Sequence, residues 1–260
     1  MRNRVKPKFT NFKKNRKRTG MKRIRKKHLH YLGIFGIPVL LFVWVFYLYA
    51  EESEDIRIRR IMGQRISYNT SSELEIRLQA YVSASDYRNE TTRQYALNLA
   101  SKNSGSYNLR QVLTIFDEIS NKWQYVNDPR TNELISKASF SVQNGFKGDC
   151  DDYAVLLSSL IQSIGGKTRI VNGFNHTSSH AFAELFIGNQ AKKQETSYLL
   201  HKRYGRNYPN GLVIHYSKDA NGNYWLNLDW SAKYPGGPYF QSNSQIIYFT
   251  EEGKYEVRKK

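Results

Sequence analysis

The sequence predicts an α+β domain with an antiparallel sheet, placed behind one membrane-spanning helix. Apolar residues recur at spacings of three and four before residue 165 and alternate after it, so helices come first and strands follow. Residues 31–50 form a run of twenty positions without a charge. The rest is globular in composition: 40% hydrophobic, 14% aromatic and a single cysteine in 260 residues. Collagen, a disulfide scaffold and a wholly disordered chain are thereby excluded.

A net charge of +18 suggests a nucleic-acid binder until it is divided. Residues 1–30 hold 14 Lys and Arg and no acid, which leaves 26 basic against 22 acidic residues, or +4, for the remainder. The arm is read as an orientation signal and solvated tail, and no nucleic-acid partner is expected. The uncharged run that follows spans roughly 30 Å as a helix, enough to cross hydrocarbon. Tyr31, Tyr47 and Tyr49 stand at its ends, and Glu51, Glu52, Glu54 and Asp55 follow it. The positive-inside rule then puts residues 1–30 in the cytoplasm and residues 51–260 outside, on an uncleaved single-pass anchor in the cell membrane. A cleaved signal peptide is the alternative, but its apolar core is usually shorter, about 7–15 residues.

Residues 51–106 read as a polar stalk or partly structured lead-in, because the apolar residues of 76–82 alternate more than they follow a helical stripe. The compact domain is placed at 107–260. It opens with a helix over 109–119, where Leu109, Val112, Leu113, Phe116 and Ile119 form one face. Residues 123–129 contain two aromatics and an Asp-Pro bend, fit either to wall a cleft or to cover the core. Residues 141–148 read as a loop. A second helix runs over 149–164, acidic at its start and closed by Gly165 and Gly166. Strands are predicted at 167–171, 180–187, 211–216, 224–229 and 245–249. Between the second and third lies a polar, basic insertion, 188–210, read as a solvated loop. Asp219, Asn221 and Asn223 resemble the start of a calcium loop, but no glutamate closes it, so Asn221-Gly222 is a hairpin turn.

Cys150 is the candidate nucleophile. A cysteine attacks as its thiolate, and a helix N-terminus favours an anion. Gly148 lets a substrate backbone approach, and the Cys150 N–H is a candidate oxyanion donor. Asp149, Asp151 and Asp152 oppose the thiolate by repulsion, so a base is needed. His28 and His30 fall in the arm, leaving His176, His180, His201 and His215. Among these His180 begins an alternating strand, and Asp229 ends another, a fixed carboxylate for the second imidazole nitrogen. His176 and His180 would form a metal pair on a helix, but residues 177–179 read as loop. No metal and no cofactor is expected.

Three blocks carry a resemblance: Gly148-Asp-Cys-Asp-Asp-Tyr-Ala154, then His180-Ala-Phe-Ala-Glu184, then Trp225-Leu-Asn-Leu-Asp229. They look like the blocks of the transglutaminase-like superfamily, and residues 123–129 are similar to a segment of its bacterial and archaeal members. The resemblance covers about residues 109–249. It implies a papain-like α+β core with the nucleophile helix packed on an antiparallel sheet, and a catalytic triad of Cys150, His180 and Asp229. Trp123, Gly148 and Asp149 would line the oxyanion site and substrate cleft. The departure is the length between His180 and Asp229, which holds the basic insertion.

The implied activity is cleavage or transfer of amide bonds through a Cys150 thioester, on protein or peptide substrates at the cell surface. Water resolving the thioester gives a peptidase or amidase, and a lysine-like amine gives a transamidase; hydrolysis is favoured. Two readings from other classes stand beside it: a catalytically silent peptide-binding module with the same fold, and a lipid- or nucleic-acid-binding protein acting through residues 1–30.

Overall fold

The computed structural model describes residues 71–128 and 134–259. The predicted arm, anchor and first part of the stalk lie outside these residues. Among the described residues no helix is long and apolar enough to cross a membrane.

The chain enters as helix α1 (Ser71–Ala84) and α2 (Glu90–Ala100), so the segment read as a polar stalk or partly structured lead-in holds two helices among its described residues. Helix α1 buries Leu74, Leu78, Tyr81 and Ala84, spaced by four, three and three. The alternation seen at 76–82 was misleading because Ile76, which creates it, is 70% exposed. Asn89 caps α2 by accepting from the Thr91 N–H, and Asp86, in the turn before it, accepts from Thr92 and from Ser139. Helix α3 (Leu109–Lys122) has the expected stripe and opens with a reciprocal Asn108–Gln111 capping box.

Strand β1 (Gln124–Tyr125) pairs in parallel with β2 (Lys147–Gly148), with helix α4 (Ala138–Gln143) between them. Part of the segment expected to be loop is therefore helix and strand. Helix α5 (Cys150–Ser163) is central: residues 151–162 are all buried, with α2, α3 and α4 on one side and the sheet on the other. A helix buried all round needs no amphipathic stripe, and here Asp151, Asp152, Ser158, Ser159 and Gln162 are buried along with the apolar residues.

The larger sheet is antiparallel throughout, in the order β5-β6-β4-β3-β7-β8. Its strands are β3 (Thr168–Phe174), β4 (Ser179–Gly188), β5 (Tyr216–Lys218), β6 (Tyr224–Asn227), β7 (Ser244–Phe249) and β8 (Lys254–Lys259). Ile170, Ala183, Leu185, Leu226, Ile246 and Tyr248 belong to the core cluster built around α5. The other face carries Val171, Phe182, Trp225, Ile247 and Phe249 beneath Tyr239 and Phe240. The same face holds a buried ion pair, Arg169 Nε to Glu184 Oε2 at 2.6 Å. Ser217 and Tyr239 donate to the other Glu184 oxygen, and the Arg169 guanidinium lies 4.1 Å from the Trp225 ring.

Two further expectations need correction. The basic insertion is a helix, α6 (Gln190–Tyr204), docked through buried Thr196, Leu200 and Tyr204. Arg203 and Tyr204 both bond Asp117 of α3. The strand predicted at 211–216 starts only at Tyr216; Leu212 and Ile214 are apolar because they pack against the core, not because they pair. The 219–223 turn is a hairpin, with Asp219 accepting from the Asn221 and Asn223 amides and Gly222 at φ +79°.

Candidate active site

The first turn of α5 is built by its own acids. Asp149 is the N-cap and accepts from the Asp151 N–H, while Asp152 Oδ2 accepts from the Asp149 N–H, a reciprocal box that leaves Cys150 as the first helical residue. The Cys150 amide has no acceptor within the helix at that position. Asp152 Oδ1 accepts from the Ser136 N–H at 2.7 Å, tying the segment before α4 to the same turn. Gly148 is required here. A Cβ on it would stand 2.2 Å from Asp152 Oδ2, and its φ is +156°.

His180, the second residue of β4, is brought to this turn. Its Nε2 bonds Asp229 Oδ2 at 2.8 Å, with side-chain exposures of 15% and 1%. Asp229 lies two residues beyond β6 and is fixed from several sides. Its Oδ1 accepts from the Ser231 amide and hydroxyl, both at 2.9 Å, and its amide donates to Asn227 Oδ1. With Nε2 engaged, Nδ1 is the nitrogen left for Cys150, which lies near enough to help raise the ring's pKa. Gly173 stands directly across the ladder from His180, and a Cβ there would come within 3.0 Å of Phe240. Without that Cβ, Phe240 packs on the imidazole, with ring centroids 5.5 Å apart.

The electrostatics favour a protonated imidazole. Burial alone would lower the His180 pKa, but hydrogen bonds and charge from Asp229 and then Cys150 outweigh it, and the value rises from 6.5 to about 9. The acids around Cys150 are less hostile than their count suggests. Burial, followed by the hydrogen bond and charge of Asp149, pushes Asp151 up to about 10, so it is neutral at pH 7. Burial also raises Asp152, against the opposing bonds from Ser136. The carboxylate oxygens of Asp149, Asp151 and Asp152 come within 4.8 Å of one another, a spacing a cation would fit. Two of the three already serve the helix cap.

The structure thus brings Cys150, His180 and Asp229 together, with Gly148 and Asp149 at the same helix start. Trp123 follows α3 and packs edge-on against Tyr153, one turn past Cys150, at 5.3 Å. Among the described residues its buried Nε1–H has no acceptor. Sequence reasoning missed the stack of Tyr125 on Trp230, with centroids 5.0 Å apart and planes 20° apart. Tyr125 sits in the β1 position paired with Gly148, and Trp230 follows Asp229, so the stack joins the nucleophile side to the histidine side. The aromatic run at 123–129 was the available signal for one half of it. Nothing in the sequence tied that run to a tryptophan a hundred residues later.

Residues 93–200 match the profile of the Transglutaminase-like superfamily. No curated protein matches the chain. Among solved structures, similarity is found to a candidate cysteine protease from Cytophaga hutchinsonii, at 25% identity over 36% of this chain and 32% of that one, TM-score 0.30. A second is a candidate protease from Parabacteroides distasonis, at 15% identity over 45% of this chain and 25% of that one, TM-score 0.37. The chain therefore spans a third or less of the length of these two proteins. The profile match takes in both Cys150 and His180, and Asp229 lies beyond it.

Proposed function

We propose that the protein is a cysteine enzyme that cleaves amide bonds of protein or peptide substrates through a thioester on Cys150, anchored in the membrane by residues 31–50 with its catalytic part outside. The observation that carries this is the His180 Nε2 to Asp229 Oδ2 bond of 2.8 Å on an imidazole that Cys150, the first residue of a helix, is near enough to influence.

The steps follow from the geometry. The Cys150 thiolate adds to the carbonyl carbon, and the oxyanion is received by the Cys150 N–H, with the Trp123 Nε1–H as second donor. His180 passes its proton to the departing nitrogen as the C–N bond breaks, leaving the acyl group on sulfur. Water then attacks the thioester, giving its proton to His180, and the C–S bond breaks to release the acid. Asp229 holds the ring in the tautomer and orientation both steps need. A transamidase must keep water away from the thioester. The half-buried Cys150 and the exposed Tyr125 beside it support hydrolysis.

Iodoacetamide alkylation of Cys150 in the full chain tests the reading without a guessed substrate. His180→Ala should slow it at pH 7 by about tenfold, because the thiolate loses its cationic partner. An unchanged rate would remove the Cys150–His180 pair from the argument.

A further inference from the structure

Among the described residues, nothing pairs with the outer edge of the small sheet beside the nucleophile. The Gln124 and Val126 amides both point to β2, donating at 2.8 Å to the carbonyls of Phe146 and Gly148. Main-chain groups of successive strand residues turn to opposite edges. The N–H and C=O of Tyr125 therefore face away from β2, and among the described residues neither has a partner. An open strand edge is a template for another strand, and proteins usually blunt it with charge or proline. Here the strand is short and Asp128 and Pro129 follow it, but the large side chains exposed on and beside it are apolar. Tyr125, Val126 and Leu134 are 45%, 52% and 57% exposed, and Leu134 belongs to the segment that Ser136 ties to the nucleophile turn.

Resting on the acyl-transfer reading above, we propose that the outer edge of β1 is the strand on which the substrate docks, and that the substrate is an extended, apolar polypeptide segment. Such a segment adds a third strand, exchanging main-chain hydrogen bonds with Tyr125 and laying its side chains beside Tyr125 on one face and Val126 on the other. The edge leads to the reacting groups. Its partner strand β2 ends two residues before Cys150, and the Tyr125 ring is close enough for the Cys150, Asp149 and Asp128 charges to act on it. Those two carboxylates disfavour an acidic segment. The chemistry recognised is main chain plus apolar side chain, which a sugar strand does not offer.

The test measures protection of Cys150 from iodoacetamide in the full chain. Three pools of acetylated octapeptide amides are compared: one randomised over Val, Ile, Leu, Phe and Tyr, the same pool N-methylated at alternate residues in both registers, and a pool randomised over Asp, Glu and Ser. The apolar pool should slow alkylation by about fivefold or more, the N-methylated and acidic pools by less than about twofold. Val126→Ser should lower the protection, measured against that variant's own peptide-free alkylation rate. Equal protection by plain and N-methylated pools, or none by either, would overturn the docking strand. The catalytic reading is decided separately, by the peptide-free rate of His180→Ala.

Discussion

Replacing Asp229 by Asn keeps the shape of the carboxylate and removes its charge, so it isolates what that charge does to His180. The rise of the imidazole from 6.5 to about 9 corresponds to about 3 kcal/mol in favour of the charged ring. At pH 7.5 the parent ring is then roughly 97% protonated, and a ring returned to 6.5 would be roughly 10% protonated. Burial opposes the charge and only the lesser pull of Cys150 remains, so the variant should titrate well below the parent. The assay is the pH titration of the His180 ring by NMR, its resonance identified by its loss in His180→Ala. Cys150→Ser, which removes the lesser cause, should lower the inflection by a smaller amount. The same pair sets a pH dependence of stability. Because the folded value is the higher one, the contribution is complete below about pH 6.5 and is lost as pH rises through about 9. The unfolding free energies of parent and Asp229→Asn should therefore differ most in acid and converge in alkali. A parent inflection near 6.5, or one left in place by Asp229→Asn, would refute the reasoning.

Two other perturbations follow from the packing. Gly148→Ala places a methyl group 2.2 Å from Asp152 Oδ2, so it should break the box that starts α5. Alkylation of Cys150 should slow by about tenfold and stability fall by about 1–3 kcal/mol; a normal rate would show that the turn is not what presents the thiol. Glu184→Ala leaves the Arg169 guanidinium buried without its carboxylate. Chemical denaturation should show a loss of about 3–5 kcal/mol, with the double change Arg169→Met/Glu184→Leu recovering most of it.

How far the sequence reaches depends on how each element is stabilised. Helices α3 and α5 and strands β3, β4 and β7 are legible because each buries a regular set of large apolar side chains. Helix α1 hides its stripe behind exposed Ile76, and α2 buries mainly small or polar residues, Thr92, Ala96 and Ala100 among them. Helix α6 shows only one buried position in four, set among lysines. Strand β8 is an edge strand whose lysines and arginine read as polar tail, although it pairs with β7 along its length. At the site, Cys150, His180 and Asp229 stand in three recognisable blocks, and their meeting agrees with the order of those blocks. Phe240 over His180, and Trp230 against Tyr125, depend on a loop that returns across the sheet. Asn227 holds that loop through the Gly237 and Pro238 carbonyls. No local pattern announces such contacts.

The acidic start of α5 shows why counting charges along a sequence misjudges a site. Three carboxylates within one turn of a cysteine suggest a suppressed nucleophile, since each negative charge raises the cost of a thiolate. The fold separates their tasks. Asp149 and Asp152 bond main-chain amides, and hydrogen bonds of that kind draw the carboxylates toward the helix end and the 134–137 segment. Asp151 points into the interior, where burial keeps its proton on. What acts on the sulfur beside the Asp149 charge is a helix N-terminus and an imidazole that holds its proton because Asp229 faces it. The net field at Cys150 is set by which of these groups the fold allows to ionise, and that selection is made by burial rather than by sequence composition.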